Sequence, residues 1–392
     1  MSALPAMPEP PPVRSRLAAL LEHFASIKDP RDVRRILHPL REVLLLVVCG
    51  TIADCDDYDA IADWGAAHLD FLRQHLPYTH GIPGGRWLTI LMNRINPALF
   101  SAAFTAWVRE TWPDRPDFVA IDGKTSRRSH DRAAGEAPLH LVSAFATTSR
   151  LVLGQEAVPD KANELTAIPA LLARLGEQNG LRGALVSIDA IATNAAIATA
   201  ITAAGADYLL AVKANQPTLR AEVEACFNDA PPQAIASHVT HDKGHGRIER
   251  REVSVIREVD WLSSDRRFPG ELRLPSVACL IKVHANIERA GEAHSETRYY
   301  ISSAALDAAR AAHAVRGHWG IENRLHWVLD VTFKEDQSRL RKGFGARNMA
   351  VVRHFALNLV RTAADGKSLK LRRKRAAWAT HYLNQILTPQ TG

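Results

Sequence analysis

Cysteine is scarce and unpaired in this chain. Cys49, Cys55, Cys226 and Cys279 are scattered through 392 residues with no Cys-x-x-Cys pair, which supports neither a zinc knuckle nor a disulfide framework and fits a reducing cytoplasm. Long apolar runs are missing as well. The longest, Val43 to Ala53, is broken by Gly50 and Thr51 and flanked by Glu42 and Asp54, far short of the roughly 20 residues that a membrane span needs. The first residues, Met-Ser-Ala-Leu-Pro-Ala-Met-Pro-Glu-Pro-Pro-Pro, lack a basic segment followed by an apolar one, so neither secretion nor a membrane partner is expected. No internal repeat is visible.

What is present is an ordinary globular composition, 46% hydrophobic and 23% charged, long enough for two or three modest domains. The formal charge of +7 favours a polyanionic partner. Residues 1–14 read as a proline-rich disordered leader. From residue 15 to about 112 the apolar spacing is helical: Leu17, Leu20, Leu21 and Phe24, then Val43 to Ile52, Ala60 to Leu72 and Trp87 to Ile95. Trp112-Pro-Asp-Arg-Pro116 reads as a linker.

Beyond it the period shortens. Strands are expected at Phe118 to Gly123, Leu139 to Thr147, Leu151 to Val158, Ala184 to Asp189 and Ala206 to Val212. Helices are expected from the cap residues Asn163 and Asn194 and from Pro217. That β-β-β-α-β-α-β-α order is the one an RNase H-like α/β fold requires. A catalytic domain over 113–362 would then contain a β-rich insertion at about 228–303, with strands at Glu252 to Val259, Ser276 to Val283 and Thr297 to Ser302. A helix follows from Ala308 to about Phe333, another from Arg347 to Arg361, and a basic tail and helix at 363–392.

Within this frame Asp122 in Val119-Ala-Ile-Asp-Gly-Lys124 and Asp189 in Val186-Ser-Ile-Asp-Ala190 stand at the ends of expected strands, and Glu322 lies on the long helix. A lone aspartate at a strand end usually caps a turn. Three acids delivered from two strands and a helix suit instead a pair of Mg²⁺ ions about 3.5 to 4 Å apart, the arrangement for in-line phosphoryl displacement. Val315, His318, Trp319, Glu322, His326 and Leu329 share one helix face, and Asp330 lies close to the same stripe, so spacing leaves Glu322 and Asp330 in competition. Lys124, Lys213, Asn215 and Gln216 stand near the expected site edge, and His245, Arg247, Arg250 and Arg251 fall in the Gly-rich insertion segment; each could grip a phosphate backbone. The run Lys367 to Arg375 is a weaker candidate, since charge runs are usually solvated faces.

Read in order, the segments Asp29-Pro-Arg31, Asp56-Asp-Tyr-Asp-Ala-Ile-Ala62, Ile121-Asp-Gly-Lys-Thr125, His140-Leu-Val-Ser-Ala-Phe145 and Asn163-Glu-Leu-Thr-Ala-Ile-Pro169 form one series. It continues with Ala206-Asp-Tyr-Leu-Leu-Ala-Val-Lys-Ala-Asn-Gln216, Gly244-His-Gly-Arg-Ile-Glu249, Tyr299-Tyr-Ile-Ser-Ser303, Arg316-Gly-His-Trp-Gly-Ile-Glu-Asn-Arg-Leu-His-Trp-Val-Leu-Asp-Val-Thr-Phe333 and Leu357-Asn-Leu359. The series resembles the H-repeat-associated, ISAs-type transposases of bacterial insertion sequences, from about Leu17 to Leu387. The resemblance implies an RNase H-like DDE catalytic domain with a β-rich insertion, a helical N-terminal transposase-associated domain, and Glu322 as the third acid. It also implies Mg²⁺ (with Mn²⁺ as substitute), double-stranded DNA as partner, a homodimer on DNA, and a cytoplasmic, nucleoid-associated setting. Arg316, His318, Trp319 and Asn323, around the Glu322 motif, become candidate DNA contacts. Two departures are local: Ile191-Ala-Thr-Asn194 replaces a Met-Gly-Cys-Gln stretch, and Gly84-Gly-Arg-Trp87 is off pattern. In the broader DDE group an Arg precedes the Glu by four residues and a Lys follows it by seven; here His318 and Leu329 hold those places. The expected activity is metal-dependent cleavage at element ends and strand transfer into target DNA. The alternatives are a catalytically silent DNA-binding descendant and an RNase H-like nuclease without strand transfer.

Overall fold

The computed structural model describes residues 15–130, 135, 137–158, 164–189, 193–244, 247–257, 259, 273–289 and 292–389, without the side chains of Gly244, Arg247 and Arg289. Six helices come first: α1 (Arg16–Ala25), α2 (Leu40–Ile52), α3 (Tyr58–Ala67), α4 (Leu69–Arg73), α5 (Gly85–Met92) and α6 (Pro97–Thr111). The apolar run flagged above is α2, and every residue of it except Arg41 is buried. A helix apolar on all sides belongs at the centre of a helical cluster, not at its surface. No helix among the described residues is long and apolar enough to cross a membrane.

The sheet begins with β1 (Phe118–Thr125), β2 (His140–Ala146) and β3 (Leu151–Ala157), joined as antiparallel neighbours. After α7 (Glu164–Gly176) comes β4 (Leu185–Ile188), parallel to β1; after α8 (Ala195–Ala203) comes β5 (Asp207–Val212), parallel to β4. The side chain of Asn194 accepts a bond from Ile197 N and so starts α8, as expected; Asn163 lies outside the described residues. Helix α9 (Pro217–Asp229) leads to β6 (Ala236–Gly244), β7 (Arg247–Ile256), β8 (Cys279–Arg289) and β9 (Glu292–Ser302).

These four strands do not form a sheet of their own. β9 pairs antiparallel with β5, giving one nine-stranded sheet in the order β3-β2-β1-β4-β5-β9-β8-β7-β6. The pairing covers what would otherwise be an open edge of β5. β6 had no counterpart in the sequence reading, because its residues, Ala-Ser-His-Val-Thr-His-Asp-Lys-Gly, carry little apolar alternation.

The long helix is present as α10 (Ala308–His318), a π-helical turn over Glu322–His326, and α11 (Trp327–Val331). Then follow α12 (Gly345–Arg361), α13 (Leu369–Trp378) and α14 (Thr380–Leu387). The sheet is covered on one face by α7, α8 and α9. Its other face carries α10, α11, α12 and the N-terminal helices. Helix α12 is the hub of that layer: Phe355 meets Phe24, Phe100, Phe104 and Trp107 at ring-centroid distances of 5.3, 5.8, 4.9 and 4.9 Å. Burying so many rings together contributes beyond their area.

Two buried amides tie α12 to its neighbours. Asn358 accepts from Val152 N at 3.0 Å and donates to Val152 O at 2.9 Å, beside the bulge where β3 loses register with β2. A bulge leaves backbone groups unpaired, and here a side-chain amide takes the place of a strand. Asn348 donates to Met92 O and Ile95 O at 2.7 and 2.9 Å, fixing the end of α5.

Candidate active site

Strands β1 and β4 run parallel with Ile121 opposite Ile188, so Asp122 and Asp189 each stand one residue past the last registered pair. Successive strand residues alternate faces, and both acids therefore point to the face that carries α10. Helix α10 comes close to that face because Gly317 has no side chain: a Cβ there would sit 3.1 Å from the Phe118 ring. His318 locks the approach through a 2.8 Å bond between Nδ1 and Ser187 Oγ on β4. Burial holds the His318 imidazole below its ordinary pKa and so favours the neutral ring. The next turn delivers Glu322.

Gly123 has a different reason to be glycine. On the opposite face of β1, a Cβ at this position would lie 2.2 Å from Glu164 Oε1 and 2.6 Å from His140 Nε2. Those two groups pair at 2.9 Å, and His140 Nδ1 meets Thr125 Oγ1 at 2.8 Å. The strand thus carries its acid on one face and a close-packed imidazole–carboxyl contact behind it.

Three donor atoms converge at the strand end. His326 Nδ1 lies 3.6 Å from Asp122 Oδ2 and 3.6 Å from Glu322 Oε2, and one donor atom each from Asp122, Glu322 and His326 lie within 4.8 Å of one another. Burial, then the facing charge of Glu322, pushes the Asp122 carboxyl up to about 8. Two carboxylates held together without a cation share a proton rather than ionise separately. Burial also lowers the His326 imidazole, which is 6% exposed. These donors fit a divalent cation: oxygen and nitrogen ligands, net negative charge, and a neutral imidazole.

Asp189 is placed apart from that trio. Both of its carboxylate oxygens are held by Lys213 Nζ, at 2.7 and 3.1 Å, in a pair that stays largely open to solvent. Lys213 follows β5, Asn215 is exposed in the turn beyond it, and the Gln216 amide donates to Thr193 O, which ties this turn to the segment after Asp189.

Lys124, two residues beyond Asp122 on the same face, turns into a second acidic cluster. Its Nζ lies 2.7 Å from Asp330, 3.0 Å from Glu335 and 3.6 Å from Asp336, and its side chain is 10% exposed. Asp330, the competing third acid, is therefore engaged with a lysine, whereas Glu322 faces Asp122. Arg353 closes the cluster at 3.5 Å from Glu335. Burial alone would raise the Glu335 carboxyl, but the Arg353 charge and the charge and hydrogen bond of Lys124 hold it below the ordinary glutamate value.

The remaining sequence candidates line a groove or lie elsewhere. A groove of about 590 Å³ runs between α10 and β6–β9, with Arg251, Arg298, Arg316, Trp319, Asn323 and Arg324 along it. Trp319 is 48% exposed under the Arg298 guanidinium, 5.2 Å from the ring centroid, and Asn323 Nδ2 donates to Trp319 O at 3.3 Å. Arg316 pairs with Asp242. Arg251 pairs with Glu249 at 2.7 Å and Asp242 at 3.3 Å, and Arg250 pairs with Glu252 at 3.0 Å. His245 and the side chain of Arg247 lie outside the described residues. In the basic C-terminal run, Arg372 and Arg373 are buried: Arg372 pairs with Asp365 at 2.7 Å, and Arg373 pairs with Asp54 at 2.9 Å while stacking on Phe333. His326, Glu335 and Arg353 were not among the expected site residues, although the four-residue spacing from Glu322 to His326 is a readable signal.

Comparison with known proteins adds an independent finding. Residues 21–108 match the family described as DDE_Tnp_1-associated, and residues 113–359 match the Transposase DDE domain. The H repeat-associated putative transposase YhhI of Escherichia coli K12 is 36% identical over 377 residues, 95% of this chain and 98% of that protein. The putative protein YbfL of the same strain is 35% identical over 377 residues, 95% of this chain and 98% of that one. A cryo-EM structure of piggyBac transposase in a synaptic complex with hairpin DNA aligns with a TM-score of 0.42 and 10% identity, over 97% of this chain and 83% of that chain.

Proposed function

The chain belongs to the DDE transposase family, and from that premise and the geometry of its strand-end acids we propose that it is a metal-dependent DNA transposase. It cuts DNA at insertion-sequence ends and transfers the released 3′-OH into target DNA. Asp122, Asp189 and Glu322 are its catalytic acids and hold divalent ions, Mg²⁺ or Mn²⁺; the strand order β3-β2-β1-β4-β5, with β1 parallel to β4, supports an RNase H-like catalytic domain over 113–362. The helical N-terminal region and the C-terminal basic segment are accessory to it. The protein works as a homodimer on DNA in the bacterial cytoplasm.

The observation that carries this reading is the Asp122 and Glu322 pair, two carboxylates turned toward each other with no lysine or arginine between them among the described residues. Uncompensated acids in a partly buried place are costly unless a cation joins them. Bound divalent ions would supply activation of water and stabilisation of the attacking and leaving oxygens of an in-line displacement.

The chain's own residues set up the rest. Gly317 and the His318 bond to Ser187 hold Glu322 against the strand end. Asp189 stands at the adjacent parallel strand, and its exposed partner Lys213 is placed to exchange that carboxylate for a DNA phosphate, a swap that costs little because an exposed pair is weak. Trp319, Asn323 and the groove arginines offer a polar and aromatic surface beside Glu322 for the nucleic acid.

The test is incubation of the purified chain with duplex DNA containing its flanking genomic ends, with Mg²⁺, with Mn²⁺ and without metal, followed by sequencing of the products. Metal-dependent 3′-OH ends and joined products are expected, and both are expected to vanish for Asp122→Asn. DNA binding without any cutting would favour a silent DNA-binding descendant, and cutting without joining would favour a nuclease.

A further inference from the structure

The three carboxylates proposed above are the family's acids, but the cluster drawn together at the end of β1 contains an imidazole in place of Asp189. We propose that His326 Nδ1 is a direct ligand of the ion held by Asp122 and Glu322. This position is then a mixed nitrogen and oxygen site that takes Mn²⁺ or another first-row transition ion in preference to Mg²⁺. The inference rests on the metal-dependent reading and names the ligand set of one of its ions.

Four observations lead there. His326 Nδ1 stands 3.6 Å from a carboxylate oxygen on either side. That is too long for a hydrogen bond, and donors so spaced can both reach one ion at roughly 2.0–2.2 Å. The ring is otherwise unexplained: His326 is 6% exposed, and its Nε2 has no hydrogen-bond partner among the described residues. A buried imidazole kept for structure is ordinarily satisfied at its nitrogens. Its placement is also built in, because Glu322 and His326 open and close the π-helical turn, four residues apart on one face. Turns of this kind inside α-helices cluster at functional sites. Finally, the charges balance. Asp189 is compensated by Lys213, so Asp122, Glu322, a neutral imidazole and a dication together carry no net charge, with Asp122 and His326 shielded from water and Glu322 at the open side.

The metal class follows from the donors. Mg²⁺ holds to oxygen ligands in near-ideal octahedral geometry and dehydrates reluctantly. Imidazole selects first-row transition ions, and Mn²⁺ accepts carboxylates equally well. An all-carboxylate site would have a weaker bias.

Pulsed electron paramagnetic resonance on the full chain loaded with Mn²⁺ tests the ligand directly, since a coordinated imidazole nitrogen imprints its ¹⁴N modulation on the Mn²⁺ echo. Competition titration of Mn²⁺ against Mg²⁺, followed by the free Mn²⁺ signal, tests the selectivity. Wild type is expected to show bound Mn²⁺ with ¹⁴N modulation and a clear preference for Mn²⁺. Asp122→Asn is expected to lose the bound ion. His326→Gln is expected to keep a weakly bound ion without the modulation, with the Mn²⁺ over Mg²⁺ preference reduced by about tenfold or more. Mn²⁺ bound in an Asp122-dependent way, with no ¹⁴N modulation in wild type, would overturn the role of His326 and leave the metal-dependent reading standing. No Asp122-dependent Mn²⁺ binding at all would overturn both. The wild-type spectrum decides the ligand even if His326→Gln melts early.

Discussion

The end of strand β1 lies between two acidic clusters that differ in one respect, and that respect separates the proposed site from a scaffold. On one side Asp122 and Glu322 face each other and His326, with no lysine or arginine among them within the described residues. On the other, two residues along the same strand, Lys124 meets Asp330, Glu335 and Asp336, and Arg353 completes the pairing from α12. Both clusters draw acids from the same stretch of chain after α10. The compensated one has its charges answered within the fold and joins the strand to the helical layer. The uncompensated one has no answering lysine or arginine among the described residues, which is what the proposed metal site requires. Counting cations, rather than acids, is what distinguishes them.

The largest effect is expected where the uncompensated pair is broken. Asp122→Asn should reduce DNA cleavage by roughly a thousandfold or more, the scale set by losing several kcal/mol of charge stabilisation in the transition state. Glu322→Gln should be as severe. A nicking assay on supercoiled plasmid, run beside a thermal melt, reads both, and neither variant should melt earlier than wild type because no internal ion pair is lost. Substantial Mg²⁺-dependent nicking by Asp122→Asn would dissolve the contrast between the clusters.

Glu335→Gln should show the opposite profile. It leaves Lys124 and Arg353 with less of their partner charge in a place where Glu335 is 2% exposed, and breaking a buried pair costs roughly 3–5 kcal/mol. The sign with pH follows from the direction of the shift. A carboxyl held below the ordinary glutamate value of 4.5 contributes stability that is present above that value and lost as pH falls through the folded-state value. Denaturant melts of wild type should therefore weaken on acidification below about pH 4.5 more steeply than those of Glu335→Gln. Equal slopes would place the stabilising charge elsewhere.

Much of this was legible in the sequence, and the parts that were not have physical causes. The segments that lead into Asp122 and Asp189, Phe118 to Ile121 and Leu185 to Ile188, are apolar except at Ser187 because they are buried on both faces, and such runs can be read without a partner. Glu322 was distinguishable from Asp330 only through family resemblance, since helix spacing puts both near one stripe. What separates them is Lys124, a contact across more than 200 residues that no local pattern encodes. The π-helical turn leaves no mark in periodicity, so the proposed role of His326 stayed hidden despite its four-residue spacing from Glu322. The basic run from Lys367 reads as a surface feature, yet Arg372 and Arg373 are buried, with Arg373 fastened to Asp54 in the turn after α2. Tertiary pairing outweighed composition there.

Asp330→Asn sharpens the comparison at smaller scale. Its carboxylate is one of three on Lys124 and is about one-third exposed, so its loss leaves the lysine still paired with Glu335. A destabilisation of at most about 1 kcal/mol is expected, with nicking within a few fold of wild type. Nicking lost to the degree of Glu322→Gln would transfer the third acid to Asp330.

The smallest expected change concerns the pair between Lys213 and Asp189, in which an acid of the proposed site is compensated by a solvent-exposed cation. Both partners are near half exposed, and exposed pairs contribute roughly 0–1 kcal/mol, so Lys213→Met should melt close to wild type. If Lys213 hands Asp189 over and takes a phosphate when DNA docks, its loss removes one phosphate contact. The log-log slope of DNA affinity against salt should then flatten by roughly 0.9, with little change in preference among sequences. Fluorescence anisotropy with a labelled duplex over a salt series reads the slope directly. A slope identical to wild type would show that Lys213 never reaches the nucleic acid, and would move the pair from the side of the site to the side of the scaffold.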